Sequence, residues 1–262
     1  MRIVIPLFDQ FTALDAVGPY QVLSEIPGAE VVIAAAQRGP VRSDTGTLAI
    51  VADASLQEVD TCEVLVVPGG PGARGAATDE TFIGWVRQVH TTTRWTTSVC
   101  TGALVLAAAG LLQGLEATTH WAAVDELEAF GARYTARRVV TEGKIVTAAG
   151  VSAGIDMALT LAARIAGNQV AEAIQLAIEY DPQPPFDNGS VAKSKPKTLT
   201  LSRSLLAKRS AGVLAPAGPK VASNTGIACA LPPAQQTDCV IRGSSQTDRL
   251  VGSDGNDGNT DG

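Results

Sequence analysis

The stretch TTRWTTSVCTGALVLAAAGLL, residues 92–112, decides the fold. Its first part, Arg94 to Val99, is rich in Trp, Thr and Val, which favour strands. Thr101 and Gly102 follow Cys100, and Ala103 to Leu112 is an apolar run of helical composition. A strand that turns this sharply into a helix lifts the turn residue's side chain clear of the sheet. It also aims the first free N–H groups of the helix at whatever binds there. A thiol at Cys100 would lie at the positive end of the helix dipole, which favours thiolate. The competing reading is a small buried cysteine, because free Cys is among the most buried residue types. The spacing alone leaves both open.

On either side of this stretch, strand and helix signals alternate from Met1 to about Ala166. Arg2 to Pro6, Glu30 to Ala36 and Glu63 to Val67 read as buried strands, the last cut off by Pro68-Gly69-Gly70-Pro71-Gly72. A smaller strand is expected at Thr47 to Val51. Helices are expected at Pro19 to Ile26, Thr78 to Val89, Trp121 to Phe130, Ala153 to Ala166 and Val170 to Tyr180. Ala132 to Val139 and Lys144 to Thr147 read as two further strands separated by Glu142-Gly143. Short apolar strands interleaved with helices predict an α/β fold with a mostly parallel sheet covered on both faces. Ligands in such folds sit beyond the carboxyl ends of the strands, and Gly69-Gly70 and Cys100 are both strand-end positions.

Composition narrows the function classes. The chain has 262 residues, 45% of them hydrophobic and 18% charged, with a formal net charge of −6. A mildly acidic chain gives no electrostatic reason to expect nucleic acid or an anionic membrane as partner. The longest apolar run, Ala103 to Leu112, is half of the ~20 residues that span a bilayer. MRIVIPLFDQF at the start is too short for a signal segment. None of Cys62, Cys100, Cys229 and Cys239 belongs to a CxxC or Cys/His cluster of metal-ligand spacing. The expectation is a cytoplasmic protein with reduced thiols. Beyond Asp181 the character changes: Pro182-Gln183-Pro184-Pro185 ends the last helix, and the end, GSDGNDGNTDG, is acidic and Gly-rich. Residues 1–193 read as the catalytic domain and 194–262 as a low-complexity, disordered tail dispensable for catalysis. Within that tail Leu199 to Val213 has the makings of a transient basic helix.

Four pieces line up in order: Asp15 in TALDAVGPYQVL (12–23), LVVPGGPG (65–72), SVCTGA (98–103) and TTHW (118–121). Together they resemble the DJ-1/PfpI superfamily, the class I glutamine amidotransferase-like proteins, and within it the isocyanide (isonitrile) hydratase branch. There Asp stands in a D-x-x-G-P context and Thr follows the nucleophile. The resemblance extends over TAAGVSAGIDMAL (147–159) and EYDPQPPFDNGS (179–190), so over residues 1 to about 193. It implies a flavodoxin-like three-layer αβα sandwich with a cysteine elbow, and a homodimer. It also implies a cofactor-free hydro-lyase that adds water to isocyanides, giving N-substituted formamides. Cys100 would form a thioimidate with the protonated isocyanide, and Asp15 would act as acid and then base. The amides of Gly70 and Thr101 would stabilise developing negative charge, Gly69 and His120 would line the same oxyanion and substrate-binding site, and the Thr101 hydroxyl would orient Asp15 or water. No metal is required.

Each assignment has a plainer competitor. By sequence alone Asp15 is a turn or N-cap residue ahead of the helix at Pro19. Gly69 and Gly70 make a tight turn whatever else they do. His120 stands where some superfamily members place a histidine near the thiol, although the hydratase branch does not rely on it. His90 reads as solvated or C-capping, Ser152 and Asp156 as positioning and capping a helix, and Cys62 as structural. Two other functions compete as well. One is a ligand-sensing domain of a transcription regulator, which needs two helix-turn-helix units that residues after 195 do not supply. The other is a different thiol enzyme, such as a glyoxalase, deglycase or protease, whose relatives favour Glu in the early position and His after the nucleophile. Oxidation of Cys100 to sulfinate as a redox sensor is compatible with catalysis.

Overall fold

The computed structural model describes residues 1–212; the Gly/Asp-rich end, Cys229 and Cys239 lie outside the described residues. The elements run β1 (Arg2–Leu7), α1 (Ala13–Leu23), β2 (Glu30–Ala35), β3 (Gly39–Arg42), β4 (Ala49–Ala52), β5 (Ala54–Ser55) and β6 (Val64–Val67). Next come α2 (Ala73–Ala76), α3 (Glu80–Thr92), β7 (Trp95–Val99), α4 (Gly102–Ala108), β8 (Glu116–Ala117), α5 (Val124–Ala129), β9 (Arg133–Tyr134), β10 (Val139–Glu142) and β11 (Ile145–Ala148). Helices α6 (Ala153–Ala166), α7 (Asn168–Ala177) and α8 (Pro196–Gly212) close the described chain.

Seven strands form the central sheet in the order β10-β11-β7-β6-β1-β2-β5. Every neighbouring pair is parallel except β10 with β11. Strand alternation divides the core in two. Ile3, Ile5 and Leu7 of β1, with Val64 and Val66 of β6, pack among α1, α6 and α7. Val4, Leu65 and Val67 point the other way, toward α3, α4 and α5. Because both faces are covered, the strands read as continuous apolar runs rather than alternating ones. The result is the αβα sandwich expected from the sequence. β1, β6, β7 and β11 all end on the same edge, and the loops that follow them build the site.

Three local readings differ. Helix α1 starts at Ala13, six residues ahead of the expected Pro19, and runs through that proline. Thr12 holds the N-cap position in an extended conformation, and its carbonyl accepts the Asp15 N–H at 3.0 Å. Proline in a helix interior is unfavourable, but the buried face Ala16, Val22 and Leu23 offsets it. Instead of one strand at 132–139 there is a short β9 and a separate β10–β11 hairpin. Gly143, at φ 59°, supplies the turn between the latter pair.

Third, the stretch after Ser194 is helical over Pro196–Gly212, where a tail without packed structure was expected. Proline at the first helical position suits a helix start. Leu199, Ser202 and Leu206 fall on one side of α8 and are half-buried, while Leu201 and Leu205 stay exposed. The Arg203 guanidinium stands 5.9 Å from the centre of the Trp121 ring, in cation–π range. The helix lacks a wide apolar stripe, so it was weakly visible in the sequence; a few tertiary contacts hold it. No helix among the described residues is long and apolar enough to cross a membrane.

Candidate active site

Strand β7 ends at Val99, and Cys100 follows with φ 57°, in the left-handed region that a side chain adopts only under strain. The surroundings hold it there. Its N–H is shared between the Ala148 and Ala149 carbonyls, at 3.1 and 2.8 Å, which ties the elbow to the end of β11. Its own carbonyl accepts the Thr119 hydroxyl at 2.9 Å. Gly102 opens α4 directly against β6: a Cβ there would lie 2.2 Å from the Val67 carbonyl oxygen, so only glycine fits.

Asp15, in the first turn of α1, is fully buried. It does not cap the helix; its Oδ2 accepts the Gly69 N–H at 2.9 Å, across from the loop that ends β6. Oδ1 is buried without a hydrogen bond of ordinary geometry, although the Cys100 thiol is near enough to stabilise the carboxylate. Burial pushes the Asp15 carboxyl up to about 7. The Gly69 N–H and the Cys100 thiol oppose that rise, Asp44 adds to it and Arg209 counters it.

Cys100 departs from the expected thiolate. Burial first, and the charge of Asp15 second, push its thiol above the ordinary range. The amides of Val151 and Thr101 and the Thr101 hydroxyl pull the other way without prevailing. The dipole of a seven-residue helix is worth about 1 kcal/mol at most in common cases, less than the desolvation of a buried thiolate. At rest the site therefore holds a thiol beside a carboxyl group poised near neutrality.

Of the two amides expected as oxyanion donors, that of Gly70 is engaged elsewhere. The Gly70 N–H donates to Thr101 Oγ1 at 2.8 Å, and the Thr101 hydroxyl donates back to the Gly70 carbonyl at 2.9 Å. The Gly70 amide and the Thr101 hydroxyl thus clamp the two strand-end loops together. The amides that face the sulfur are those of Thr101 and Val151. Val151 was not singled out in the sequence, nor were Thr119, Thr12 and Asp44. Val151 acts through its backbone, at φ 26°, and no side-chain signal marks such a role.

His120 lines the same pocket. Its Nδ1 accepts the Ala122 N–H at 3.2 Å, which assigns the ring proton to Nε2. Burial, then Arg209 and Arg74, lower its pKa, which favours the neutral ring. Pro71, Arg74, Ala122, Val151, Leu206 and Arg209 also line the pocket. Helix α8 therefore contributes two residues, Leu206 and Arg209, to the wall of this pocket. The other candidates lie elsewhere. Half-buried His90 places Nδ1 2.8 Å from Thr96 Oγ1, and Cys62 is buried beside Thr92. Ser152 stands at the N-cap position of α6 without a side-chain capping bond. It accepts from Arg138 at 3.1 Å, and Arg138 also pairs with Asp156. No group of three His, Cys, Asp or Glu among the described residues could hold a metal ion.

Gly69 stands in close contact with both the acid and the elbow. A Cβ there would lie 2.5 Å from the Thr101 nitrogen, 2.7 Å from Thr101 Oγ1 and 2.9 Å from Asp15 Oδ2. Gly69→Ala must push the acid and the elbow apart. Displacements of about 1 Å in such constellations cost ~10²-fold in rate. A kcat/KM about 100-fold below wild type, with an unchanged far-UV spectrum, is the expected outcome. Activity within threefold of wild type would show that the Asp15–Gly69–Thr101 spacing does not matter.

Comparison with known proteins places this geometry in context. The DJ-1/PfpI family pattern matches residues 1–164. The isonitrile hydratase of Pseudomonas putida is 44% identical over 190 residues, covering 72% of this chain and 83% of that protein. An HTH-type transcriptional regulator of Pseudomonas aeruginosa, CdhR, is 31% identical over 177 residues, covering 64% of this chain but only 51% of that protein. The crystal structure of a THiJ/PfpI family protein from Pseudomonas syringae superposes with a TM-score of 0.76 at 38% identity. That match covers 83% of this chain and 90% of that one.

Proposed function

We propose, from the premise that this chain belongs to the DJ-1/PfpI family, that it is a cysteine-dependent hydro-lyase converting isocyanides to N-substituted formamides. The observation that carries the reading is Asp15, buried and raised toward neutrality, beside the Cys100 elbow. A carboxyl of that strength can give and take a proton at neutral pH. The likeness to a Pseudomonas putida protein named isonitrile hydratase supports the choice of substrate.

The reaction begins from the state with one proton shared by Cys100 and Asp15. Shifting it to Asp15 leaves a thiolate under the amides of Thr101 and Val151. The sulfur attacks the terminal isocyanide carbon while Asp15 delivers its proton to that carbon. One C–S and one C–H bond form, giving R–N=CH–S–Cys100 and an Asp15 carboxylate. Asp15 then takes a proton from water as the oxygen adds to the same carbon and passes that proton to the nitrogen, which returns Asp15 to the carboxylate. Collapse of R–NH–CH(OH)–S–Cys100 breaks the C–S bond and releases R–NH–CHO. The hydroxyl proton returns to the Cys100–Asp15 pair. No other reactant is consumed beyond water, and the protein acts on a small molecule, as a cytoplasmic homodimer.

Two other classes remain in view. A sensor related to the regulator would bind a ligand without turnover, and this chain spans about half of that protein. A different thiol reaction would use the same elbow on a carbonyl compound. Incubation of the full chain with an aryl or alkyl isocyanide, followed by proton NMR of the formyl hydrogen, separates them. Catalytic formamide production supports the proposal. A folded protein that produces none, at enzyme concentrations where chemical hydration is visible, overturns it.

A further inference from the structure

Helix α8 brings a cation into the site that the elbow chemistry has not used. Arg209 lines the pocket containing Cys100 and pairs with the Asp44 carboxylate, whose side chain is only 2% exposed. The other tie to that carboxylate comes from Thr12, whose hydroxyl donates to Asp44 Oδ2 at 2.7 Å. Thr12 is the N-cap residue of α1 and accepts the Asp15 backbone N–H through its carbonyl. Arg209 also reaches the Thr12 hydroxyl, at 3.5 Å. Asp44 and Arg209 thus form an ion pair one residue-contact removed from the acid–base carboxyl.

The helix is placed for this role by one face. Arg203 over Trp121, Leu206 in the pocket wall and Arg209 on Asp44 are spaced three residues apart, so they line one side of α8. A buried carboxylate with no cation is unfavourable, whereas one that is paired and hydrogen-bonded is tolerated.

We propose that Arg209 is a positioning residue of the active site: by pairing with Asp44 at the N-cap of α1, it holds Asp15 in the proton-exchanging state. The proposal rests on Asp15 being the working acid–base group, but its test need not rest on turnover. The charged and titratable groups acting on Asp15 are Cys100 at the elbow, Asp44 in the β3–β4 loop and Arg209 on α8. His120 and Arg74 stand across the pocket. Asp44 raises the Asp15 pKa and Arg209 lowers it, so the two partners must have opposite effects when removed. Loss of a merely structural contact would not produce opposite signs.

Carboxyl-carbon NMR of aspartate-labelled full-length protein reads the Asp15 titration directly, with Asp15→Asn identifying the signal. In wild type the midpoint is expected near 7. Arg209→Met should move it upward, and Asp44→Asn downward. Arg209→Lys should restore a midpoint near wild type. The isocyanide assay adds an independent readout: the acidic limb of kcat/KM should follow each midpoint. Unmoved midpoints, or shifts of the same sign in Arg209→Met and Asp44→Asn, overturn the proposal whether or not isocyanides prove to be substrates. NMR shifts as expected in a protein without isocyanide turnover would leave Arg209 in its role and remove only the substrate.

Discussion

Cys100→Ala is expected to abolish formamide production, with kcat/KM reduced at least ~10⁴-fold, the usual scale for loss of a covalent nucleophile. The fold should survive. Cys100 sits at positive φ, but alanine meets the same backbone strain as cysteine there, and the elbow is tied by backbone bonds from Cys100 to Ala148, Ala149 and Thr119. The thiol is not needed for any of them. Mass spectrometry of quenched reactions provides the second reading: wild type should show a covalent adduct of one isocyanide mass, and the alanine variant none. If the thiol were only a packing group, its removal would leave activity largely intact and cost stability instead. Retention of more than a tenth of wild-type activity would therefore sink the nucleophile assignment.

Asp15→Asn should lose activity and gain stability together. Asparagine can still accept the Gly69 N–H, but it cannot exchange protons, and general acid–base groups contribute ~10²–10⁴-fold. The stability effect follows from burial. The folded-state pKa of Asp15 lies near 7, above the 3.8 of a free carboxyl. Between those values the folded protein holds a proton that the unfolded chain has lost. Stability therefore falls as pH rises from about 4 to 7 and levels off above. A shift of about three pH units corresponds to ~4 kcal/mol, the most that the variant can recover at pH 8. Urea unfolding at pH 8 should show Asp15→Asn more stable than wild type, and the advantage should vanish near pH 4. An asparagine variant equally stable or weaker at pH 8 would mean that the carboxylate is better solvated than its burial implies. The same titration sets the wild-type rate profile. The one-proton state of the pair appears as Asp15 loses its proton, so kcat/KM should rise through about pH 7.

The behaviour of both groups has one cause, and it explains what could be read from the chain. At Cys100 the strand, the turn and the helix are consecutive, so the elbow was visible in residues 92–112. The mostly parallel sheet and its covered faces were equally legible, because continuous apolar strands interleaved with helices bury both faces of a sheet. Protonation was not legible. A dipole at a helix start is a local property, whereas desolvation depends on what packs around the thiol, and that outweighed the dipole at Cys100. Nor could the sequence show that the Gly70 N–H and carbonyl both bond to the Thr101 hydroxyl.

Local order along the chain thus determined an α/β fold with a covered parallel sheet, the elbow at Cys100 and the strand-end positions of Gly69 and Gly70. Such features follow from backbone periodicity and from residues adjacent in sequence, whereas Asp15 and His120 were joined to them only by the family resemblance. Tertiary structure alone decided that Val151 turns its amide to the sulfur and that Asp44 and Thr12 meet beside Asp15. It alone brought Arg209 to them, from 165 positions beyond Asp44. These are contacts between groups far apart in the chain, and an ionisable group takes its strength from the neighbours and the water that folding brings or removes.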